Sequence, residues 1–347
     1  MYGLSRLYRG AVFSIVVTER LETSVKAQQW FTHPVGLTVS AVITTLLWGS
    51  AGPAIKIGYN QLNITSDDMF GQWVYAGYRF ALAGLMLGIV AWFMNRRSQQ
   101  VKGVRLSSGS VWYRVTRLAL LQTFLQYICF YIGLSMSTGM QGAIITGSTS
   151  FFQMLVARFM ERDERFTANK TLGLCLGFAG VAVVTVAQAG LNMELNAGDL
   201  FLILSAFFGG FGNVLSRHES RDLPVLWLTG RQMLLGGIGL FLIGALRAGV
   251  FPFVWDVSSF LLLMYLSFLS AAAFGLWNLI MKYNAVGKVS LFLFLIPVFG
   301  VFLSALLLGE QLNQWIIAAL ILVVAGIFTV NRPTTRRSNA AAEPVKR

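Results

Sequence analysis

Residues 286–330 read VGKVSLFLFLIPVFGVFLSALLLGEQLNQWIIAALILVVAGIFTV. Two apolar runs, 286–308 and 313–330, are separated by a polar step that begins at Gly309-Glu310-Gln311. Each run is close to the roughly 20 residues a helix needs to cross a hydrocarbon core of about 30 Å. Neither shows the roughly ten-residue apolar–polar alternation of a membrane barrel strand, so strands are not expected. The stretch therefore reads as two helices in lipid joined by a short turn.

Reading outward from this pair, apolar runs of similar length lie near 36–58, 73–94, 117–136, 139–160, 169–188, 197–216, 223–246 and 258–281. The fold class is all-α integral membrane, with ten transmembrane helices. Composition points the same way. Of 347 residues, 56% are hydrophobic and only 12% charged, about half the fraction usual in soluble domains. A chain this apolar lacks the polar surface to enclose a soluble core.

The net charge of +13 would point to nucleic acid in a soluble protein, but here its distribution explains it. With the N-terminus in the cytoplasm, 23 of the 27 bases fall on inside segments and only Arg247 falls outside. Inside bases include Arg114, Arg117, Arg162, Lys170, Arg217, Arg221, Lys282 and Lys288; Asp67, Asp68, Glu194 and Asp199 lie on outside loops. This is the positive-inside pattern. It predicts a multi-pass protein of the cell membrane with both termini cytoplasmic, a lipid-bilayer partner and no nucleic-acid partner. Residues 1–35 form an N-terminal extension for which a surface-lying segment and a structureless one are both open. No small-residue cleavage pattern follows Ala11–Val17, so a cleaved signal peptide is not expected. The basic tail 331–347 is expected to be disordered.

The two halves resemble each other. Glu164-Arg165-Phe166-Thr167 matches Glu310-Gln311-Leu312-Asn313, and a glycine follows each Glu sixteen residues later, Gly180 and Gly326. The same offset sets Phe151 against Pro297, and Arg79 with Gly84 matches Arg231 with Gly236. Repeats over 36–188 and 189–330 with five spans each must be inverted relative to one another, the architecture of many secondary transporters.

These residues, with Trp48-Gly49-Ser50, Pro53, Lys56, Tyr78-Arg79-Phe80, Pro297-Val298-Phe299 and Leu308-Gly309-Glu310, resemble the drug/metabolite transporter superfamily, specifically its EamA-like ten-helix branch. The likeness spans roughly residues 36–330 and departs at Phe151, where the family often has proline. The resemblance implies alternating-access movement of small metabolites such as amino acids, often outward. The alternatives are efflux of drug-like or aromatic compounds, and a non-transporting channel or scaffold.

Arg79 and Arg231 each sit about six residues inside an expected span, about 9 Å deep. Either they snorkel to the headgroups or bond a helix end, or they attract an anionic substrate group, so they are candidate charge contacts together with Lys56. Substrate-binding candidates are Trp48, Gln126, Tyr127, Tyr131, Gln153, Asn213, Trp277 and Asn278. An amide in lipid must face protein or a water-filled cavity, and as a group these residues mark a polar, aromatic centre reached by a small-molecule substrate. Gln122 is four residues from Gln126, on one helix face.

The spans hold no central Asp or Glu, which disfavours proton coupling through a buried carboxylate. Glu164 and Glu310 read as turn elements before the N-caps Thr167 and Asn313, with gating ion pairs the alternative. The pairs Gly84/Gly88 and Gly173/Gly177 permit close helix contact, and Pro53 and Pro297 predict kinks. Cys129 and Cys175 read as buried small hydrophobes. His33 and His218 are too few for a metal centre; no metal or cofactor is expected, and no enzyme motif is present.

Overall fold

The structure is a computed structural model that describes residues 25–95, 100–101, 104–136, 145–161, 164, 167–189, 197–309 and 315–331. Glu310, Asn313, Glu194 and the tail lie outside the described residues. Helices occupy Pro34–Gln61 (α1), Met69–Asn95 (α2), Gly109–Met136 (α3), Thr149–Met160 (α4), Ala168–Ala189 (α5), Ala197–Glu219 (α6), Val225–Ala248 (α7), Val257–Tyr283 (α8), Val286–Leu308 (α9) and Trp315–Asn331 (α10). Seven of these, α1, α2, α3, α6, α7, α8 and α9, are long and apolar enough to cross a membrane. The expected helix over 139–160 is described only in its later part. One departure from the all-helical expectation is a two-residue antiparallel ladder, Gln100–Val101 with Val104–Arg105, which folds the α2–α3 loop back on itself.

Three local irregularities have chemical causes. Pro297 has no N–H, so Leu293 C=O loses its helical donor, and the turn before it tightens to a 3₁₀ segment at Ser290–Phe294. In α3 the ladder slips to π-helical geometry over Leu120–Leu125. α3 also starts well before the expected residue 117, because Val111, Val115 and Leu118 form a buried stripe that extends the helix beyond its apolar run. Arg114 and Arg117 therefore stand on a helix, not in a loop.

Helix contacts are set by small residues. Gly77 meets Phe241, Ala81 meets Gly237, Gly84 meets Leu234 and Gly88 meets Gly230, so α2 and α7 run antiparallel along one glycine seam. A Cβ at Gly84 would lie 2.4 Å from the Leu234 backbone nitrogen. α5 and α10 form a second antiparallel pair through Gly173, Gly177 and Gly326. α1 packs on α8 and α9, while α6 packs on α3 and α4. Gly49 presses on Ile296 and Phe299 of α9, and Gly210 presses on Thr149 and Gln153 of α4. Gly177 seats the Phe294 ring.

Residues 25–32 are helical, and part of the extension is thereby placed on the core. Phe31 is buried and stacks on Tyr283, its carbonyl accepts from Asn284 Nδ2 at 3.0 Å, and His33 Nδ1 caps α1 by accepting from Val35 N. Cys129 is buried as expected, but Cys175 is exposed, because it lies on the face of α5 that no other described helix covers. Thr167 caps α5 as expected, its Oγ1 accepting from Lys170 N.

Candidate functional site

Arg79 is the one expected site residue whose depth the structure revises. Asp68 Oδ1 accepts from Gly71 N at 2.9 Å, and this cap starts α2 at Met69, four residues before the apolar run begins. Arg79 is thus ten residues from the start of α2, about 15 Å along the axis. Arg231 is six residues into α7, about 9 Å, so the two arginines are not at matching depths. Arg79 is 3% exposed and lies inside the bundle. Its Nε donates to Ser270 Oγ of α8 at 2.7 Å, and Ser270 in turn donates to Leu266 O. The guanidinium carbon is 4.9 Å from the Phe80 ring centroid. Among the described residues no carboxylate pairs with Arg79. Placing an arginine at a membrane centre costs at least about 2.5–3.5 kcal/mol, and one neutral hydroxyl offsets only part of it.

Tyrosines surround this cation. Tyr59, Tyr75, Tyr127 and Tyr131 all lie within electrostatic reach of Arg79, and the hydroxyls of Tyr59 and Tyr131 face one another. The rings continue as a chain through the protein. Tyr131 adjoins Tyr127, which is 4.3 Å from Phe80; Phe80 meets Phe274, Phe274 meets Trp48 at 5.2 Å, and Trp48 meets Trp277 at 5.6 Å. Four of the expected residues, Trp48, Tyr127, Tyr131 and Trp277, thus share one aromatic run that joins α1, α2, α3 and α8.

The expected amides form a separate layer. Gln122 Nε2 donates to Asn213 Oδ1, Asn213 Nδ2 donates to Gln153 Oε1, and Gln153 Nε2 donates to Ser290 Oγ, each at 2.8 Å. This chain links α3, α6, α4 and α9, and Gln153 has no exposed surface. Asn278 Nδ2 donates to Thr229 Oγ1 at 2.9 Å, and Thr123 Oγ1 donates to Gln232 Oε1. Gln153 and Asn213 hold helices together. Gln126 lies against Gly209 and makes none of these interhelical bonds; its Oε1, like that of Gln122, is buried without a partner. Asn278 Oδ1, Trp277 Nε1, the Tyr75 hydroxyl and Trp73 Nε1 are likewise unpartnered. Buried polar atoms left this way are rare in native proteins; some lie along the aromatic run near Arg79, and others lie in the amide layer and at the ion-paired end of the bundle. Lys56 is exposed on α1, apart from this cluster.

Sequence reading missed Tyr59, Tyr75, Phe80, Ser270, Phe274 and Ser290. Tyr59 and Tyr75 resemble interfacial belt residues, and Ser270 is one of several serines in α8. Only the partner, 191 positions away in the case of Ser270, separates a site residue from its neighbours.

One end of the bundle carries ion pairs. Glu161, at the end of α4, takes Arg217 Nη1 from the end of α6 at 2.9 Å and Arg221 from the turn that follows it. Glu219 takes Arg114 and Arg117 of α3. Arg217 Nε also donates to Met281 O at 2.9 Å, which ties α6 to the end of α8. Glu164 pairs with Lys170 at 2.8 Å and accepts from Gly287 N at the start of α9. The ends of α4, α6 and α8 and the starts of α3, α5 and α9 therefore converge, with the basic residues gathered on them. At the other end Asp256 caps α8, accepting from Ser259 N at 2.7 Å; the Ser259 side chain first, and this N–H second, hold its carboxyl below the usual range.

Comparison with known proteins agrees with this geometry. The EamA-like transporter family matches residues 37–186 and again 196–332. The uncharacterized transporter YvbV of Bacillus subtilis (strain 168) is 29% identical over 273 residues, 77% of this chain and 85% of its own. A Salmonella typhimurium (strain LT2) protein named probable amino-acid metabolite efflux pump is 23% identical over 299 residues, 83% of this chain and 92% of its own. A crystal structure at 19% identity shares the fold, with a TM-score of 0.65 over 85% of this chain and 96% of the other. The chain belongs to the EamA-like transporter family, a multi-pass membrane transporter of the drug/metabolite transporter superfamily.

Proposed function

We propose that the chain moves small carboxylate-bearing metabolites, amino acids or related compounds, across the cell membrane by alternating access, with export the leading direction. The observation that carries this reading is Arg79: a buried guanidinium with one hydroxyl partner, no paired carboxylate among the described residues, and a wall of tyrosines. A substrate carboxylate completes its charge, while Gln126, Asn278 and Trp277 offer an amide oxygen, a second amide oxygen and an indole N–H to the rest of the molecule. Aromatic walls alone favour drug-like or aromatic compounds. A cation set among them favours an amphoteric metabolite with an apolar side chain.

In this reading α1 to α10 all span the membrane as two inverted five-helix repeats. The double family match supports it. So does the packing: exchanging the halves maps α2–α7 and α5–α10 onto themselves, and maps α1 on α8 and α9 onto α6 on α3 and α4. Glu161, Glu219, Arg217 and their partners close the cytoplasmic end in this conformation, and rocking α1, α8 and α9 against α3, α4 and α6 must break the Arg217–Met281 link. The convergence of bases on that end supports cytoplasmic termini.

A metabolite panel in proteoliposomes, with and without a pH gradient, tests the proposal. Uptake or counterflow of one or more amino acids supports it. Movement confined to uncharged aromatic compounds favours the drug-like reading, and ion conductance without saturable transport favours a channel.

A further inference from the structure

Arg231 carries a positive charge outside the site above. It stands in a groove of about 250 Å³ between α2 and α7, lined by Leu85, Gly88, Ile89 and Trp92. The surface of these walls is nearly all hydrocarbon, with Arg231 included, and they face outward: Leu85 is 49%, Ile89 57% and Trp92 53% exposed. The guanidinium lies 5.6 Å from the Trp227 ring centroid, and among the described residues it has neither a carboxylate partner nor a hydrogen bond. Gly88 gives it room, since a Cβ there would lie 3.1 Å from Nη1. A permanent cation on the floor of an apolar, outward-facing groove needs an anion that also carries hydrocarbon.

We infer that this groove seats an anionic phospholipid of the cytoplasmic leaflet. Its phosphodiester binds Arg231, and an acyl chain lies over Leu85 and Ile89. The inference rests on the orientation proposed above, which puts Arg231 about 9 Å inside the cytoplasmic end of α7, within reach of the headgroup phosphates. It does not depend on what is transported. A basic residue near the membrane surface favours an anionic lipid about five-fold. A zwitterionic lipid brings its own cation and gains less. The α2–α7 seam is also the antiparallel glycine contact between the two halves, so a lipid held here touches both.

The test uses the purified full chain in detergent, titrated with phosphatidylglycerol or with phosphatidylcholine of the same acyl chains and read by native mass spectrometry. The wild type is expected to retain phosphatidylglycerol about five-fold better. Arg231→Gln is expected to lose that preference, and Arg231→Lys to keep most of it. Excess inorganic phosphate is expected not to displace the lipid, because the acyl contact is lacking. Equal retention of both lipids by the wild type, an unchanged preference in R231Q, displacement by free phosphate, or a dimer that excludes lipid each overturns the inference. Should R231Q not fold, a phosphatidylglycerol with a photoreactive headgroup decides on the wild type. Labelling at residues 85–92 and 227–235 supports the site, and labelling only elsewhere refutes it. None of these readouts involves transport, so failure here leaves the substrate proposal standing, and the reverse.

Discussion

Gln153→Met separates a helix-holding amide from a substrate-binding one. Methionine nearly matches glutamine in length and volume, so the substitution removes two strong hydrogen bonds, and a weak one from Nε2 to Met281 Sδ at 3.7 Å, without opening a cavity. The strong bonds lost are Asn213 Nδ2 to Gln153 Oε1 and Gln153 Nε2 to Ser290 Oγ, both 2.8 Å and both fully buried. Interhelical bonds in membranes average roughly 0.6 kcal/mol, with an upper value near 1.7. Ser290 keeps its bond to Val286 O, and Asn213 keeps the one from Gln122, which holds the total near the lower figure for each. A loss of about 1–2 kcal/mol follows, a fall in melting temperature of roughly 2–8 °C. The assay is thermal unfolding in detergent, paired with KM for the transported metabolite in proteoliposomes. The expected result is the lower melting temperature with KM within about three-fold of wild type. A wild-type melting temperature together with a KM raised ten-fold or more refutes the assignment and places Gln153 on the substrate.

Three further outcomes follow from the geometry. Gly84→Leu drives a side chain into the Leu234 backbone at 2.4 Å, so it should cost at least 1–3 kcal/mol as overpacking and abolish recovery of folded protein by size exclusion; Gly109→Ala, with nothing within 4 Å, should be neutral. Arg217→Gln removes the link from α6 to Met281 O, and cysteine pairs across the ends of α6 and α8 should then label faster with a water-soluble thiol reagent. Asp256 binds its proton less readily folded than unfolded, so its contribution is complete above the unfolded carboxyl range and lost as pH falls below about 4; Asp256→Asn should flatten that acid limb in a melting-temperature profile.

Length and hydrophobicity made the helices legible, because lipid leaves the backbone few alternatives to hydrogen-bonding within its own segment. The glycine pairs were legible for a related reason: only a missing side chain permits contacts such as Gly84 on Leu234. Depth was less legible. Gly71 and Gln72 read as loop, but Asp68 caps the helix ahead of them, and the resulting four-residue shift sets Arg79 farther along its helix than the apolar run implied. Partnership was not legible at all. Gln122, Gln126, Gln153 and Asn213 look alike in sequence, and contacts across 60 and 91 positions decide which of them hold helices. The sorting of Arg114, Arg117, Arg217 and Arg221 to one side was plain from topology. Their pairing with Glu161 and Glu219 follows from where α3 begins and where α4 and α6 end, which hydropathy does not encode.

Charge at Arg79 is the direct test of the substrate site. In proteoliposomes, Arg79→Gln and Arg79→Lys are compared for a transported amino acid and for its carboxamide, in which the carboxylate is neutral. A charge-assisted hydrogen bond contributes about 1.5–3 kcal/mol, so R79Q should raise KM for the acid by roughly 10- to 150-fold, leave the carboxamide nearly unchanged, and be partly rescued in R79K at an unchanged melting temperature. Equal loss for acid and carboxamide, or no loss for either in a folded protein, contradicts a carboxylate contact at Arg79.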